Sequence, residues 1–386
     1  MKDTTPVVLT PETLHQLTTR QGEPCVSIYL AAHQPGTPPT ERPIRLKNML
    51  REAEHELTGG GMRAADARKF LAPAEVLINS EKFWMTEPKP LALLLAADTS
   101  ARIFLERPAA DVLVVSDHFH TRPLVLDLIQ DETTAVLAVS KNHVRVLRVN
   151  RHGAEPLRVK GMPASLSDFR KLEEADRDNK HRKEGGRAGK ASTAFSASGG
   201  EDPETEAITR YLRQIAQVVA DQLPERSPTL IWAGVDEELA IYQGFHEAPR
   251  LLPVSIMGNP DRTADHELAT RAREILMGER LLEVEQLQAT LAERIGTDNS
   301  ATTLSEVLAA ARDGRIDTLL VDESVHCWGH FEPSDATLHV HPTRQAGDAD
   351  LLDTAVAGTL RTRGRILPVP TGTLPGQAGV AALLRY

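Results

Sequence analysis

Apolar residues in the first third of the chain follow two different patterns. A short apolar run predicts a strand over residues 24–32, which a proline-glycine breaker follows. Apolar positions at near-helical spacing predict helices over residues 43–57 and 64–79, and we expect Pro73 to kink or divide the second helix. Continuous apolar runs predict three further strands, at residues 91–97, 101–106 and 111–115. This mixture indicates an α/β domain.

The middle third begins with three apolar runs and contains one long polar stretch. We interpret residues 124–130, 135–140 and 143–149 as strands, because hairpin-sized links separate them. Residues 176–202 lack an apolar period, so we predict a long mobile loop there. An acidic cap and a first-turn proline then predict a helix over residues 204–223. A mixed sheet with helices on its faces would be completed by a strand, a short helix and a strand at residues 229–233, 237–242 and 251–256.

The last third alternates helices and strands again. A long amphipathic pattern predicts a helix over residues 264–295. Shorter helices are predicted at residues 303–312 and 351–363, and strands at residues 317–321, 337–341 and 366–369. At roughly 100–200 residues per domain, 386 residues fit three domains. We therefore predict an α/β protein whose three α/β domains cover residues 1–122, 123–257 and 258–386.

The composition is that of an ordinary globular protein, with 41% hydrophobic and 25% charged residues. The longest apolar run, residues 91–97, is far shorter than the roughly 18 residues of a membrane span, so we expect no membrane partner. Two cysteines, Cys25 and Cys327, exclude a disulfide framework and fit a reducing compartment. The first residues also lack the layout of a signal peptide. These features predict a cytoplasmic protein.

Charge is distributed unevenly along the chain. The net charge is −10, which makes a poor general ligand for nucleic acids, and we expect no DNA partner. Residues 180–200, here called the basic segment, contain five cations and one anion, so they carry +4 and the other 365 residues carry −14. Two interpretations stay open. The segment is either a solvated linker, or an arm whose cations meet RNA phosphates while its glycines allow close approach.

Three familiar catalytic motifs are incomplete or absent in the sequence. Residues 185–192 resemble a phosphate-binding P-loop, but Glu184 stands at the first glycine position and Ala191 at the hydroxyl position. Three His-Glu pairs lack the second histidine of a zinc protease, because Gly59, Arg250 and Thr270 occupy its place. The serine elbow of esterases, G-x-S-x-G, is missing. We therefore predict no catalytic residue and no cofactor.

A segment near residue 330 is rich in side chains that can bind metal ions: His326, Cys327, His330, His339 and His341. The last two lie two residues apart and would share one side of a strand, whereas His326 and His330 could sit on one turn. Zinc accepts such ligands. Without a paired C-x-x-C motif, hydrogen-bonded or solvated imidazoles are the favoured interpretation, so we predict no metal site and retain the five residues as weak candidates.

One carboxylate lies within the first apolar run of the middle third. A two-metal nuclease of the RNase H type would need Asp127 in such a strand, with further carboxylates converging on it. Asp131, Glu132 and Asp236 are candidates by sequence position alone. Carboxylates at strand ends that face solvent are the favoured interpretation.

Four short motifs, in order, resemble the archaeal and eukaryotic class-one peptide-chain release factors, whose superfamily includes Pelota. The D-x-F-H-T-x-x-L motif is represented here by Asp117, Phe119, His120, Thr121 and Leu124. Two hairpin strands, a long loop and a helix follow in the family's order. The runs TLLVDESV at 318–325 and GQAGVAALLRY at 376–386 resemble parts of the family's third domain. The chain is identified as a bacterial member. This resemblance implies an RNase H-like middle domain and a last domain like the kink-turn-binding ribosomal-protein fold.

Two functional motifs of that family differ in this chain. The family hydrolyses peptidyl-tRNA with a Gly-Gly-Gln tip, but here Gly185 and Gly186 are followed by Arg187. A guanidinium suits phosphate and cannot reproduce the amide that positions water. The stop-codon-reading N-I-K-S turn would fall near residues 59–63, where the sequence is GGGMR. The resemblance therefore implies neither stop-codon decoding nor peptide release.

The function we predict from the sequence is ribosome binding. The chain would bind ribosomal RNA in the A site during rescue or hibernation, without catalysis of its own. Gly185 and Gly186 would allow close approach, and the phosphate contacts would come from Arg182, Lys183, Arg187 and Lys190. The resemblance also implies a translational GTPase as a partner of the last domain. Two alternatives stay open: a hydrolase of peptidyl-tRNA or RNA with an altered tip, and a non-ribosomal interaction module that kept the fold.

Overall fold

A computed structural model describes most of the chain. It leaves out residues 1–3, 21–23, 35, 39, 87, 130–132, 151–152, 185–201, 224–226, 228, 333–336 and 377, and it describes residues 176–184 by their backbone only. The chain divides into two units, residues 1–130 with 284–386, and residues 131–283. Both combine helices with sheets that contain parallel and antiparallel strands, which confirms the predicted α/β class. The three-domain division and the two domain likenesses stay predictions.

The first 130 residues build a five-stranded sheet with helices on both faces. Their elements are β1 (Thr5–Pro6), α1 (Pro11–Thr18), β2 (Cys25–Leu30), α2 (Glu41–Gly59), α3 (Ala64–Ile78), α4 (Glu81–Thr86), β3 (Leu91–Leu95), β4 (Ser100–Phe104), β5 (Val112–Ser116) and α5 (Arg122–Ile129). The strand order is β1-β4-β3-β2-β5. Strands β2 and β3 are buried throughout, because their alternate side chains pack into two different apolar cores, one of which contains α2 and α3.

Two predictions for this part were wrong. Residues 124–130 were predicted as a strand, but they belong to the helix α5. A short apolar run cannot be assigned by periodicity alone, and Pro123 in the first turn favours a helix start. Division of the second helix at Pro73 was also wrong, because α3 continues from Ala64 to Ile78 as one helix, whereas the alternative of a kink stays a prediction. The buried stripe of α3 packs in one core with α2, and this packing offsets the hydrogen bond that the proline removes.

The second unit is built on one mixed sheet. Its elements are β6 (Thr134–Val139), β7 (Val144–Asn150), β8 (Gly153–Pro156), α6 (Leu166–Glu184), α7 (Pro203–Gln222), β9 (Thr229–Gly234), α8 (Asp236–Gln243), β10 (Arg250–Leu251), β11 (Ile256–Met257) and the first part of α9 (Asp265–Arg294), with a 3-10 turn at Pro260–Arg262 before α9. The residues of α9 from 284 onward belong to the first unit. Strands β6, β7 and β8 form an antiparallel meander, and β9 pairs parallel to β6. Both β10 and β11 pair parallel to β9, so the strand predicted over residues 251–256 is two short strands.

Helix α6 extends into the region predicted as a loop. The prediction of a loop from residue 176 was wrong for residues 176–184, which are helical, and residues 185–201 lie outside the described residues. The helix continues without an apolar stripe, and Arg177, Lys180, Arg182, Lys183 and Glu184 are the good helix formers in this part.

The last part of the chain forms two further sheets. Its elements are β12 (Ser300–Ala301), α10 (Leu304–Arg312), β13 (Ile316–Asp322), β14 (Trp328–Glu332), β15 (Thr337–His341), β16 (Ala349–Asp350), α11 (Leu351–Arg361), β17 (Arg365–Val369) and β18 (Val380–Leu384). The larger sheet has the order β12-β18-β13-β17, and the smaller one has the order β15-β14-β16. Helices α10 and α11 pack in the same core as α1 and α5, so the two ends of the chain share one hydrophobic core. Among the described helices, none is both long and apolar enough to cross a membrane.

Candidate functional site

The basic segment is only partly described by the structure. Arg182 and Lys183 lie in the last turn of α6, and nothing further is described of their side chains. Gly185, Gly186, Arg187 and Lys190 lie outside the described residues. The predicted phosphate contacts and the predicted close approach therefore stay predictions.

The helices on either side of the basic segment are firmly packed. The rings of Phe169 on α6 and Tyr211 on α7 are buried, with centroids 5.8 Å apart. Next to them, Arg210 Nε donates to Glu173 Oε1 at 3.1 Å. The carboxylate of Asp202 caps α7 by accepting from the backbone N–H of Glu204 at 3.3 Å. These contacts hold the first turns of α6 against the first half of α7, which follows the basic segment.

The D-x-F-H-T motif connects the first sheet to the last helix, α11. Tyr29 Oη donates to the backbone oxygen of His120 at 2.6 Å, and the backbone N–H of His120 donates to Ser27 Oγ at 3.0 Å. The backbone N–H groups of Thr121, at 2.7 Å, and of Arg122 donate to Asp353 Oδ1 on α11. A carboxylate at the N-terminus of α5 satisfies free N–H groups of its first turn and complements its dipole. The motif therefore joins the first and last parts of the chain.

Arg122 is the centre of a buried polar cluster, which we define as His120, Arg122, His326, Asp350 and Asp353. Its side chain is only 1% exposed, and Nη1 donates to the backbone oxygens of Asp322 at 3.1 Å and Val325 at 2.7 Å. Nη2 lies 2.9 Å from both Asp350 Oδ2 and His326 Nδ1. Removing a charged guanidinium from water costs desolvation free energy. Here a carboxylate and several hydrogen-bond acceptors compensate that cost.

Asp350 has two roles in the cluster. Its Oδ1 caps α11 by accepting from the N–H of Leu352 at 3.1 Å, and its Oδ2 lies 2.8 Å from His326 Nδ1. Burial alone would raise the pKa of Asp350, but the charge of Arg122 and the hydrogen bond to His326 lower this pKa to about 2. The carboxylate is therefore ionised at neutral pH.

His120 lacks the hydrogen bonds that its neighbours make. It is 1% exposed, and neither ring nitrogen has a hydrogen-bond partner among the described residues. Asp353 Oδ1 lies 3.7 Å from His120 Nδ1. Burial lowers the pKa of His120, against the opposing charges of Asp353 and Asp350, so the imidazole is neutral at neutral pH. His120, His326 and Asp350 can each offer a metal-ligand atom, and these atoms lie within 4.8 Å of one another.

A pocket of about 480 Å³ opens next to the buried polar cluster. Its lining includes Tyr29, Arg122 and His326. Arg107 and Glu323 form an ion pair in the same wall. Because the His326 side chain is 28% exposed, the pocket connects the cluster with solvent.

The five histidine and cysteine candidates do not form one group. Only His326 joins the buried polar cluster. His330 and His341 both approach the buried carboxylate of Asp348, at 3.3 and 2.9 Å. His339 is exposed and lies on β15, the strand that was predicted over residues 337–341. Cys327 is partly buried, and burial raises the pKa of its thiol.

The placement of His326 and His330 on one turn was wrong, because β14 begins at Trp328 and contains His330 but not His326. His120 and Asp350 were missed as potential metal ligands. His120 lies 206 positions before His326, so no spacing rule connects the two. The one available signal was the D-x-F-H-T motif that contains His120.

The nuclease hypothesis required Asp127 in a strand, and that placement was wrong. Asp127 lies in α5, is buried, and its Oδ1 accepts from the N–H groups of Glu106 at 3.0 Å and Arg107 at 2.9 Å. It therefore orders the loop after β4. Asp236 is the first residue of α8, and Asp131 and Glu132 lie outside the described residues.

A second buried carboxylate organises the loop after β13. Asp322 Oδ1 accepts from the N–H of Ser324 at 2.9 Å, and Oδ2 accepts from the N–H of Gly372 at 3.2 Å. Burial raises the pKa of Asp322, but these hydrogen bonds outweigh burial and lower the pKa below its usual value. In the unfolded chain an aspartate has a pKa of about 3.9, and above that pH the ionised carboxylate stabilises the folded state. This stabilisation is lost as the pH falls through the lower pKa that Asp322 has in the folded state.

We expect Asp322→Asn to lower the free energy of unfolding by about 1–3 kcal/mol at pH 7, because an amide places N–H donors against N–H donors. The difference from the wild type should shrink below about pH 4, where the unfolded carboxyl becomes protonated. Urea unfolding at several pH values measures this, with the exposed Asp298→Asn as a control. A difference that does not change with pH would contradict the assigned role of the charge.

Comparison with known proteins finds one family model that matches the middle of the chain. Residues 135–315, from β6 to the end of α10, match the family model described as bacterial archaeo-eukaryotic release factor family 3. This match supports membership of the archaeo-eukaryotic release factor superfamily, and the superfamily predicted from the short motifs is confirmed. No curated protein matches the chain.

Three solved structures are distantly similar to the chain. An archaeal translation termination factor, aRF1, has 14% identity and a TM-score of 0.23, with 98% of this chain and 99% of that chain covered. A ribosome-bound archaeal Pelota with ABCE1 has 14% identity and a TM-score of 0.37, with 100% and 95% covered. The Pelota protein of Archaeoglobus fulgidus has 12% identity and a TM-score of 0.28, with 98% and 93% covered. Similarity at this level carries no argument about function.

Proposed function

We propose that this chain is a release-factor-like protein that binds the bacterial ribosome in the A site, during rescue or hibernation. The observation that carries the proposal is the family match over residues 135–315. The matched region contains the whole basic segment together with α6, which ends within the segment, and α7, which follows it. The element that would reach the ribosome therefore lies in the part of the chain that is similar to release factors.

The proposed contact is electrostatic and local. Arg182, Lys183, Arg187 and Lys190 would bind phosphates of ribosomal RNA, and the neighbouring glycines Gly185 and Gly186 would let the backbone approach closely. The segment carries +4 within a chain whose remaining residues carry −14. An acidic body discourages binding of RNA elsewhere, so the charge pattern directs RNA to this one segment.

The turn at the stop-codon-reading position supports a role without decoding. It connects α2 with α3, and Gly61 has a φ of +96°, in the left-handed region that favours glycine. The backbone N–H of Gly60 donates to the oxygen of Glu56 at 2.9 Å, which ends α2. Single-stranded bases are recognised by side chains on their edges and faces, and three consecutive glycines offer none. We therefore propose that the protein recognises a ribosomal state rather than a codon.

Co-sedimentation with 70S ribosomes tests the proposal. The purified full-length protein should pellet with vacant ribosomes at low salt, and competition with a bound A-site tRNA should release it. Pelleting that A-site tRNA does not affect would contradict the A-site assignment. No pelleting at any salt concentration would contradict ribosome binding and favour the non-ribosomal interaction module. A translational GTPase, which the family resemblance implies, can then be added to the same assay to test for a ternary complex.

We expect no release of peptide from ribosomes carrying peptidyl-tRNA, because Arg187 stands where the family has the glutamine of its tip. A guanidinium binds phosphate and cannot replace the amide at that position. The measurement is release of labelled peptide over time, with a catalytic release factor as the positive control. Arg187→Gln is a useful companion variant, because it restores the sequence of the tip. Release by the wild type with multiple turnovers would instead support the hydrolase alternative.

A further inference from the structure

The geometry points to a binding site for one divalent transition-metal ion of the zinc class, held by His120, His326 and Asp350. The three side chains come from the D-x-F-H-T motif, from the residue two positions before β14, and from the start of α11. Two imidazoles and one carboxylate form a donor set that zinc accepts in sites with an open position. This inference is independent of the proposed function, because it concerns the free protein.

His120 supplies the first observation. A side chain that is 1% exposed, with two ring nitrogens that have no hydrogen-bond partner among the described residues, is rare in a folded protein. A metal ion would engage the lone pair of one nitrogen. The ring of His120 also lies near that of His326, with centroids 6.2 Å apart.

The distances between the ligand atoms provide the second observation. His326 Nδ1 lies 2.8 Å from Asp350 Oδ2, and the ligand atoms of all three residues lie within 4.8 Å of one another. A zinc ion with bonds of about 2.0–2.2 Å needs its ligand atoms roughly 3.3–3.5 Å apart in a tetrahedral arrangement. Side-chain adjustments on the order of 1 Å bring the three atoms to these separations, which is within the reach of ordinary rotations.

Arg122 is the group that a metal ion has to displace. Its Nη2 lies 2.9 Å from both Asp350 Oδ2 and His326 Nδ1, so it now occupies the space between two of the ligands. The guanidinium keeps an anchor when Nη2 moves, because Nη1 donates to two backbone oxygens. Asp353 adds a second negative charge, and its Oδ2 has no hydrogen-bond partner among the described residues. The negative charges of Asp350 and Asp353 would therefore balance part of the positive charge of the metal ion and of Arg122.

The adjacent pocket gives the ion a route and an open position. His326 and Arg122 both line this space of about 480 Å³, and His326 is the most exposed of the three ligands. An ion entering from the pocket meets His326 first and the buried His120 and Asp350 behind it. Water or a small anion in the pocket can complete the coordination, as in zinc sites with three protein ligands.

Isothermal titration of the untagged, EDTA-stripped full-length protein with ZnCl2 tests the site. We expect one Zn²⁺ per chain, and Co²⁺ in its place should give the visible absorption of a tetrahedral site. His326→Ala should weaken binding by at least about 100-fold, because loss of a ligand costs more than the 10- to 100-fold typical of an outer partner. His326→Cys should retain binding, because a thiolate also binds zinc. His326 is suited to substitution because it is partly exposed, and circular dichroism verifies the fold of each variant.

His339→Ala is the matched control, because His339 is exposed on β15 and belongs to no metal-ligand group among the described residues. It should bind Zn²⁺ with unchanged affinity. The inference is overturned if the wild type binds no Zn²⁺ at one equivalent, or if His326→Ala binds as tightly as the wild type. Loss of binding in both His326→Ala and His339→Ala would also overturn it, since His339 lies outside the proposed set of ligands.

Discussion

Replacing Arg122 with methionine should lower the free energy of unfolding of the first unit by about 3–5 kcal/mol, measured in the presence of EDTA. Arg122 is 1% exposed and compensates the buried carboxylate of Asp350. Methionine fills similar space but leaves that carboxylate without its cationic partner, which is the expensive way to break a buried ion pair. Urea unfolding followed by tryptophan fluorescence measures the effect, with Trp84 and Trp328 reporting on the first unit and Trp232 on the second.

Two further variants separate the lost charge pair from a general effect of removing an arginine. Arg68→Met removes an arginine that is mostly exposed and whose Nε lies 2.7 Å from Glu54 Oε1, and it should cost less than about 1 kcal/mol. Asp350→Asn in the Arg122→Met background removes the uncompensated charge, so the double variant should be more stable than the sum of the two single effects. Additive effects, or a cost below about 1 kcal/mol for Arg122→Met, would show that the pair is not a structural centre.

The second large effect is expected on ribosome binding. If about four cations contact phosphates, the logarithm of the binding constant should fall with the logarithm of the salt concentration with a slope of about −3 to −4, at roughly 0.7–0.9 per contact. Replacing Arg182, Lys183, Arg187 and Lys190 together with alanine should flatten this slope and weaken binding most strongly at low salt. Sedimentation with 70S ribosomes at several salt concentrations gives both quantities.

A matched control removes the same number and kind of charges elsewhere in the second unit. Lys160, Lys171, Arg250 and Arg262 are exposed in the described part of this unit and lie outside the basic segment. Their quadruple alanine variant changes the net charge equally, so it should keep the slope of the wild type within experimental error. If both quadruple variants bind alike, the interaction is a general charge effect, and the assigned role of the basic segment is wrong.

The sequence predicted most of the regular elements, because their spacing carries the information locally. The amphipathic stripe of α7 and the buried runs of β2, β3 and β6 were predicted within a few residues. The charge contrast of the basic segment and the order of the short motifs also needed no coordinates. The elements follow from the period of apolar side chains along one segment, and the charge contrast follows from composition. Neither property depends on how other elements pack.

Packing between distant segments decided the remaining features of the fold. The apolar run that forms α5 is compatible with a strand or a helix. The carboxylate of Asp353 accepts hydrogen bonds from backbone N–H groups at the start of α5 and so stabilises the helix. No range was predicted for strand β14, because its sequence of glycine, histidine and phenylalanine is not a clear strand pattern and its order comes from pairing with β15 and β16. In both cases the partner lies in another part of the chain, outside the window that a local pattern samples.

The same division applies to the candidate sites. The sequence alone determined the superfamily motifs, the basic segment and the histidine-rich stretch, because each is a local property of neighbouring residues. Only the tertiary structure brought His120 to His326 and Asp350, over separations of 206 and 230 positions. It also separated His326 from the histidines of β14 and β15, although they are neighbours in sequence. The physical reason is that a ligand or charge cluster is defined by distances between atoms, and these depend on how sheets and helices pack rather than on spacing along the chain.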